Sequence, residues 1–536
     1  MTHVKSAICV VVLLSTAILP YLANAKQPKQ ITLTPIGRFS AGREGAEIAA
    51  YDRATRRIFS INPGLSQIDV LDLSDPSDPV LAFAIPLGGR PNSVAFHEGV
   101  VAVAVENATK TDSGFVKFFA ADGTLLSSVT VGALPDMLIF TPNGRRLLVA
   151  NEGEPNSYNL PDSIDPEGSV SIIDMTVGAA SLTQADVRTA TFNDAIPKTN
   201  ASSIRVYGPG ATLAQDLEPE YVAVSHDSKT AWVTLQENNA IAILDIEAGV
   251  FTGLVGLGFK DHSQAGNGLD ASDLDGGINI ANWPVFGMYQ PDAIESYRVR
   301  GVTYLVMANE GESRNFPGFN EEVPVGSASY VLDAATFPNA ATLKSNSNLG
   351  RLTVTRVSGD TDSDGDFDKI LVPGARSFSI RTTEGELVFD SGDDFEKKTA
   401  AQVPASFNSN GTAATFDTRS DNKGPEPEGI VLGKAFGRTY AFIGLERTAG
   451  VMVYDVSDPF LPTFVQYVNT SPDDISPEGL LFIKEEDSPN GKPLLVVSHE
   501  ISSTTTIFEI TKESAPFSVA EGTTDNGSSK GKMRTR

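Results

Sequence analysis

The hydrophobic and polar positions of this chain repeat as a unit of two short strands. The unit begins at a proline or a turn followed by an acidic residue, and it continues as an alternating apolar strand. After a short turn, a second apolar strand ends in another acidic residue, as in Pro135–Phe140 followed by Leu147–Glu152. Alternation with a period of two is typical of strands that bury one face. The pattern therefore predicts an all-β protein.

Seven starts of this unit occur along the chain. Starts with no insertion between them are about 45 to 50 residues apart, a repeat length typical of β-propeller blades. A further strand pair at Ser377–Ser391 has a Glu384-Gly385 turn that matches the Asp122-Gly123 turn within Phe115–Thr130. We therefore assign it to the outer half of the fifth blade and not to an eighth blade. The predicted fold is an all-β, seven-bladed β-propeller with long loop insertions between blades.

The segment upstream of the first unit and the long insertions complete this prediction. Ile31–Ile36 is expected to be the outer strand of the last blade, which would close the ring and remove its open sheet edges. The insertions are polar and rich in Gly, Asn, Ser and Asp, so we expect functional or disordered loops. They span residues 156–165, 176–217, 247–290, 313–374 and 393–425.

The two ends of the chain are predicted to lie outside the propeller. Residues 1–25 have Lys5, the apolar run Ala7–Leu19 and the small-residue site Ala23-Asn24-Ala25, which is typical of a cleaved secretory signal peptide. The apolar run is too short to span a bilayer as a helix. We expect residues 26–512 to form the propeller and residues 513–536 a polar, disordered tail. The predicted location is periplasmic or secreted, with no membrane contact after cleavage.

Composition narrows the partners of the protein. The 536 residues include 41 Lys and Arg against 67 Asp and Glu, a formal charge of −26. This charge argues against nucleic acid and anionic membranes as main partners and favours cations. The only cysteine, Cys9, lies in the predicted signal peptide, so the mature chain has neither disulfides nor thiol chemistry. We expect a monomer.

Acidic residues recur at both ends of the repeated unit. Six of the seven first-strand starts and six of the seven second-strand ends are acidic, whereas about one residue in eight is acidic overall. In a propeller these positions meet at one mouth of the central channel, and converging carboxylates either raise each other's pKa or recruit cations. Many oxygen ligands select Ca²⁺ or Mg²⁺. The alternative is pairing with backbone amides or with Arg and Lys. The starts are Glu47, Asn92, Asp136, Glu220, Asp292, Glu428 and Glu478, and the ends are Asn62, Glu106, Glu152, Glu237, Glu310, Glu446 and Glu500.

Two second-strand ends continue alike, as Ala150–Glu154 and Ala308–Glu312. Glycine between two acids lets the backbone turn sharply, so that both carboxylates can face one ion. The metal ligands predicted at the channel are Glu152, Glu154, Glu220, Glu310, Glu312, Glu428 and Glu478.

A second acidic feature lies at 360–368, where acids at alternate positions and Gly365 after the third match the front of a calcium loop. The twelfth position is Leu371, where an EF-hand has a bidentate glutamate, so the prediction is a calcium loop of another type or else a solvated acidic turn. Asp270, Asp273 and Asp275 form a weaker cluster. The predicted loop ligands are Asp360, Asp362, Asp364, Asp366 and Asp368.

Signals for a nucleophile are poor, because the chain has no Gly-x-Ser-x-Gly elbow, no His-Glu-x-x-His motif and no phosphate-binding glycine loop. His499 is either a ligand, a base or a structural histidine. Arg314, Arg376 and Arg447 flank acidic ends and could hold phosphate oxygens, which suit the guanidinium fork, or could neutralise charge between blades.

Five segments of the chain carry a resemblance to known proteins. They are Asp270–Asp292, Ala308–Arg314 with Glu321-Glu322, Arg376–Ile380, Pro425–Gly429 and Ser476–Gly479. These segments resemble the choice-of-anchor I family of secreted bacterial propellers, and the resemblance extends, in order, over nearly all of the predicted mature chain. That family is similar to the propeller portion of atypical alkaline phosphatases, which implies metal-dependent hydrolysis of phosphomonoesters outside the cytoplasm.

Two functions follow as hypotheses. In the leading one, the propeller binds Ca²⁺, with iron or magnesium as a possible second metal, and hydrolyses a small phosphorylated substrate. Asp292 is then a ligand or base, and Arg314 and Arg447 hold the phosphate. The rival is a non-catalytic, calcium-stabilised propeller that presents its loops to an extracellular polymer. A quinone-dependent dehydrogenase is disfavoured because the chain has only two tryptophans.

Overall fold

The computed structural model of the protein describes residues 31–42 and 45–513. The predicted signal peptide lies outside the described residues, and so does the predicted tail after Glu513. In the described part the regular secondary structure is nearly all β-strand, and no helix there is long and apolar enough to cross a membrane. The α-helices are Leu213–Asp216, Ala340–Leu343 and Asp394–Gln402, and the 3-10 turns are Pro63–Leu65, Met175–Val177, Ala179–Ser181, Gln184–Asp186, Ala201–Ser203, Pro404–Ser406 and Ala413–Thr415.

The described residues form seven larger sheets of four or five strands, which we number along the chain. Sheet 1 has Ala49–Asp52, Arg57–Asn62, Gln67–Asp72 and Val80–Pro86, and sheet 2 has Pro91–His97, Val100–Val105, Ser113–Ala120 and Leu125–Ala133. Sheet 3 has Pro135–Phe140, Arg146–Asn151, Ser169–Asp174 and Val187–Thr191, and sheet 4 has Pro219–Val224, Thr230–Leu235, Ala240–Asp245 and Val250–Gly256, with Lys198–Thr199 at its edge. Sheet 5 has Ile294–Val299, Val302–Asn309, Ser377–Thr382 and Leu387–Asp390, and sheet 6 has Pro427–Ala435, Arg438–Leu445, Val451–Asp455 and Thr463–Val468. Sheet 7 has Pro477–Ile483, Leu494–His499, Thr504–Lys512 and Ile31–Ser40.

The sheets are arranged in a ring. The first strand of each sheet contacts the first strand of the next, and that of sheet 7 contacts that of sheet 1. The predicted position of the N-terminal strand is confirmed, because Ile31–Ser40 pairs antiparallel with Thr504–Lys512 as the outer strand of sheet 7. Consecutive antiparallel sheets around a common axis are the arrangement of a β-propeller.

Apolar side chains at alternate strand positions form the contacts between neighbouring sheets. Each neighbouring pair shares a cluster of buried hydrophobic residues. Between sheets 7 and 1, for example, Ile58 and Leu71 pack with Leu494 and Val496, all of them fully buried. Burial of apolar side chains on both faces of every sheet therefore stabilises the ring.

The strand pair within Ser377–Ser391 is the outer half of sheet 5, as the sequence predicts. Its first strand pairs with the second strand of the sheet, from Tyr304 opposite Thr382 to Asn309 opposite Ser377. The intervening insertion thus leaves the sheet and returns to it.

The insertions on either side of the first two strands of sheet 5 form a folded unit with a hydrophobic core of its own. Leu269, Val285, Tyr330, Leu349 and Ile370 belong to this core, and each is fully buried. The expectation of disorder is therefore wrong for this part, because its apolar residues bury one another. The short strands of this unit are Phe259–Asp261, Phe286–Met288, Asn315–Phe316, Phe319–Asn320, Glu322–Pro324, Thr353–Thr355 and Leu371–Val372.

Candidate functional site

The register of the inner strands explains why acidic residues converge. In five sheets the first strand starts at a proline that faces the last residue of the second strand, and a β-bulge follows that proline at the position of the acid or of Asn92. A bulge redirects a side chain at the end of a strand. Another acid lies one or two residues after the second strand, so both polar groups reach the same end of the sheet. The facing pairs are Pro91 and Val105, Pro135 and Asn151, Pro219 and Leu235, Pro427 and Leu445, and Pro477 and His499.

The structure brings eleven of the twelve predicted carboxylates to one place. They line a cavity of about 320 Å³ and a second one of about 300 Å³ at its mouth. The two cavities share Asn92, Asp136, Glu152, Glu428 and Glu478, so we treat them together as the axial cavity. The eleven acids are Glu47, Glu106, Asp136, Glu152, Glu220, Asp292, Glu310, Glu428, Glu446, Glu478 and Glu500.

Burial and mutual repulsion raise the pKa of most of these carboxylates. Burial is the main cause that raises the pKa of Asp136 to about 7 and that of Glu446 to about 8. Burial and, as the next cause, neighbouring carboxylates raise the pKa of a further set of five residues well above the usual range. The cavity therefore needs protons or cations to balance its charge. The five residues of this set are Glu152, Glu220, Asp292, Glu428 and Glu478.

Two trios in the axial cavity have the geometry of cation sites. Asp292, Glu310 and Glu428 each offer a carboxylate oxygen, and these oxygens lie within 4.8 Å of one another. Glu47, Glu478 and Glu500 do the same at the mouth. The buried Oε2 of Glu428 has no hydrogen-bond partner among the described residues. An oxygen-only donor set with an unpartnered carboxylate oxygen fits a hard divalent cation such as Ca²⁺.

The two Ala-Asn-Glu-Gly-Glu segments behave differently from each other. Gly153 and Gly311 adopt positive φ values of 74° and 97°, as the predicted sharp turns require. After the first turn, however, Glu154 leaves the cavity lining and its carboxylate pairs with Lys110 at 2.8 Å. The predicted shared ion for Glu152 and Glu154 is therefore not supported.

After the second turn both carboxylates do face one cation, but that cation is Lys423. The Nζ of Lys423 lies 2.7 Å from Glu310 and 3.1 Å from Glu312. Gln236 donates a hydrogen bond to the other oxygen of Glu310 at 3.0 Å. The two predicted ligands Glu310 and Glu312 therefore both line the axial cavity, and both are partners of Lys423.

Arg314 does not line the axial cavity, so the prediction that it holds a phosphate beside the carboxylates is not supported. It is almost fully buried, and its guanidinium pairs with Asp216 at 2.5 Å and with Glu218 at 3.1 Å. It also lies over the ring of Tyr207 at 4.6 Å. Because these partners engage the whole fork, Arg314 holds insertions together and does not face the cavity.

Of the other two arginines, Arg376 has a structural role and Arg447 lies in the candidate site. Arg376 is buried and pairs with Glu396 at 2.5 Å, so its role is structural. Arg447 lines the axial cavity, with Nη2 at 2.9 Å from Glu446 and Nε at 3.5 Å from Glu426. Of the three, Arg447 keeps the predicted position beside the carboxylates.

His499 is a structural histidine. It is 1 % exposed, its Nδ1 lies 3.3 Å from the carbonyl oxygen of Thr504, and burial lowers its pKa to about 4. It is absent from the residues that line the axial cavity. A ligand or base role is therefore not supported.

The acidic loop at 360–368 lies on the surface, and only part of it forms a cluster. Asp360, Asp362 and Asp368 place carboxylate oxygens within 4.8 Å of one another. Asp364 and Asp366 are outside this group, and Asp364 accepts a hydrogen bond from the backbone of Asp366 at 3.2 Å. The structure thus supports three of the five predicted loop ligands as neighbours.

The sequence interpretation missed two important residues, Lys423 and Glu426. Glu426 is fully buried and its carboxylate pairs with Lys423 and Arg419, which hold its pKa below its usual range despite its burial. A signal for Glu426 existed, because Glu426-Pro427-Glu428 repeats Glu218-Pro219-Glu220. Glu218 is likewise fully buried and paired with a cation. Lys423 has no such sequence signal.

Comparison with known proteins identifies the family. The choice-of-anchor I domain matches residues 47–459. Gigasin-3a of Magallana gigas is 28 % identical over 184 residues, 30 % of this chain and 64 % of the relative. The mesenchyme-specific cell surface glycoprotein of Strongylocentrotus purpuratus is 28 % identical over 279 residues, 46 % of this chain and 36 % of the relative. The chain thus spans less than two thirds of either relative.

Two solved structures are also similar. The hydrazine synthase of Kuenenia stuttgartiensis has a TM-score of 0.46 and 13 % identity, over 88 % of this chain and 97 % of that one. The Cps50 (Swd1) β-propeller domain of Myceliophteria thermophila has a TM-score of 0.45 and 9 % identity, over 90 % and 100 %. The family match covers most of the sequence, and the protein belongs to the choice-of-anchor I domain family.

Proposed function

We propose that this protein is a seven-bladed extracellular or cell-surface propeller whose axial cavity binds Ca²⁺ and hydrolyses small phosphomonoesters. The seven sheets are the proposed blades. The observation that supports the proposal is the convergence of eleven strand-end carboxylates and Glu312 on one cavity. The described lining residues supply four positive charges, from Lys423, Arg447, Arg90 and Lys110. A cavity with this excess of buried carboxylate favours divalent cations.

The proposed ligands are the trio of Asp292, Glu310 and Glu428, with Glu152 and Glu220 lining the same space. Oxygen donors of this kind suit Ca²⁺ and Mg²⁺, so Mg²⁺ is a better second metal than iron. At the mouth, Glu478 belongs to the second trio. A bound divalent cation would supply Lewis acidity and an activated water for phosphoryl transfer.

The side chains around the trio have proposed roles in binding and proton transfer. The side chain of Arg447 is one-third exposed, so its guanidinium can contact a phosphate oxygen. The planar fork of a guanidinium suits the geometry of phosphate oxygens. Asp292 is proposed as a metal ligand or as the general base, and burial and the neighbouring Glu310 raise its pKa well above its usual range. A cavity of about 320 Å³ suits a small substrate.

Phosphatase activity is tested with p-nitrophenyl phosphate from pH 6 to 10, with added Ca²⁺ or EDTA. We expect turnover that EDTA abolishes and that E428Q lowers by at least about 100-fold, because a lost ligand affects metal binding more than a lost supporting group does. The matched control is E154Q, whose carboxylate pairs with Lys110 outside the cavity lining and should leave turnover unchanged. Turnover equal to the blank with every metal would refute the enzyme proposal.

A non-catalytic binding propeller is the second candidate. It is favoured by the engagement of Arg314 in buried ion pairs and by the pairing of Lys423 with Glu310, which leave fewer free cations for a phosphate. One relative is named as a cell surface glycoprotein. The partner would be an extracellular polymer. This candidate predicts a calcium-dependent rise in melting temperature without hydrolysis.

We also propose that the acidic surface loop binds Ca²⁺ through Asp360, Asp362 and Asp368. The carboxylate of Asp362 completes the trio, so D362N should weaken the affinity of one Tb³⁺ site about 10-fold, as measured by luminescence titration. D364N changes a residue of the same loop outside the trio and should leave that titration unchanged. Equal titration curves for both variants and the wild type would contradict a site in this loop.

A further inference from the structure

Lys423 places an ammonium group inside the acidic axial cavity. It is a lining residue of the cavity, and its side chain is only 12 % exposed. Its Nζ lies 2.7 Å from Glu310, 3.1 Å from Glu312 and 3.2 Å from Glu426. A single ammonium thus has three carboxylate partners, which is more than a lysine of a simple surface ion pair has.

The loop that carries Lys423 is fixed on both sides. Arg376 donates from Nη2 to the backbone carbonyl oxygens of Ser420 at 2.8 Å and Asn422 at 2.6 Å. Arg419 donates from Nε to Glu426 at 2.7 Å. The lysine therefore reaches the cavity from a backbone that is already held in position, and its ammonium is effectively tethered there.

Two partners of Lys423, Glu310 and Glu426, outline a cation position together with Glu446, whose carboxylate pairs with Arg447 at 2.9 Å. This position lies beside the proposed metal trio. Glu310, Glu426 and Glu446 each place a carboxylate oxygen within 4.8 Å of the others, as Asp292, Glu310 and Glu428 do. Glu310 belongs to both trios. Two cation positions thus meet at one carboxylate, and the ammonium of Lys423 contacts two members of the first trio.

We propose that Lys423 is a tethered cation that fills the position between Glu310, Glu426 and Glu446 and so limits this part of the cavity to one divalent ion. The inference rests on the proposed function, because it takes the trio of Asp292, Glu310 and Glu428 as the position of that ion. Two divalent ions sharing Glu310 would need both positions free, and the lysine keeps one of them filled. Lys423 then sets how many metal ions the site holds.

The test is the number of Ca²⁺ ions bound per chain in wild type and K423Q, measured by elemental analysis after equilibrium dialysis and by calorimetric titration. K423Q is expected to bind one Ca²⁺ more than wild type, and the added E446Q change should remove that extra ion. K423R keeps the charge and should bind as wild type does. The matched control is K492Q, which breaks the Lys492–Glu509 pair outside the cavity lining and should not change the number.

The outcomes separate this inference from the proposed function. An extra ion in K423Q when wild type binds none in the axial cavity supports the tethered cation and refutes the proposed metal site. Equal numbers and affinities in wild type and K423Q, with Ca²⁺ bound, refute the tethered cation alone. If K423Q folds only with Ca²⁺ present, the ion replaces the ammonium as proposed. Equally poor recovery with and without Ca²⁺ counts against the proposal.

Discussion

Replacing Arg314 with methionine is expected to lower the free energy of unfolding by about 3–5 kcal/mol, the usual cost of removing one partner from a buried ion pair. Arg314 is 1 % exposed, and its partners Asp216 and Glu218 are fully buried. Asp216 keeps hydrogen bonds from the backbone of Tyr207 and Gly208 at 2.9 and 2.6 Å. Glu218 loses its ion pair altogether, and its Oε1 already has no hydrogen-bond partner among the described residues. The loss therefore falls mainly on Glu218.

Urea denaturation followed by fluorescence measures this effect, with R53M as the matched control. Arg53 makes an ion pair with Asp487 at 3.1 Å, but its side chain is 75 % exposed. Exposed pairs contribute about 0–1 kcal/mol, so R53M should unfold nearly as the wild type does. A loss below about 1 kcal/mol in R314M would contradict a structural role for Arg314.

The strands and the cavity acids could be predicted because their signals are local. An apolar residue at every second position marks a strand, and the position of an acid at the end of that strand fixes which end of the sheet it occupies. Asp136 and Glu152 are separated by one hairpin, so the sequence alone brings them together. The repeat then multiplies the same geometry around the ring.

The cations could not be predicted in the same way, because their partners are far away in sequence. Arg314 pairs with Asp216, 98 residues earlier, and Lys423 pairs with Glu310, 113 residues earlier. Nothing in the neighbourhood of either residue encodes a partner at such a distance. Charge counting predicts cations in the cavity, and the fold shows that the side chains of Lys423 and Arg447 are two of them.

The folded unit beside sheet 5 was missed for a related reason. Its core residues, such as Leu269, Val323 and Leu349, come from segments on both sides of two propeller strands. Each segment alone is too poor in periodic apolar residues to predict an element. The core exists only because the sheet brings the two segments together, so long-range packing overrides the local polar composition.

Without metal, the protein is expected to lose stability as the pH rises from 6.5 to 8.5. Glu446 and Asp136 have folded-state pKa values of about 8 and about 7, above their ordinary values near 4. A carboxyl whose pKa is raised on folding stabilises the folded state while it is protonated, and this stabilisation is lost as the pH rises through the folded pKa. Glu237 contributes in the same way, because its pKa is raised to about 7. For the three carboxyls together, the loss in the free energy of unfolding is on the order of 3 kcal/mol.

Calcium should reverse this loss at the alkaline end, because it binds the ionised carboxylates. At 100 times its dissociation constant, Ca²⁺ would add about 2.7 kcal/mol at pH 8.5 and much less at pH 6.5, where protons occupy the same groups. Melting curves in EDTA and in Ca²⁺ across this range measure both effects. D136N removes one titrating carboxyl from both parts of the cavity, so its pH slope in EDTA should be shallower. A melting temperature in EDTA that is constant or rises with pH, and that Ca²⁺ does not change, would mean that the acidic cavity balances its charge with its own side chains.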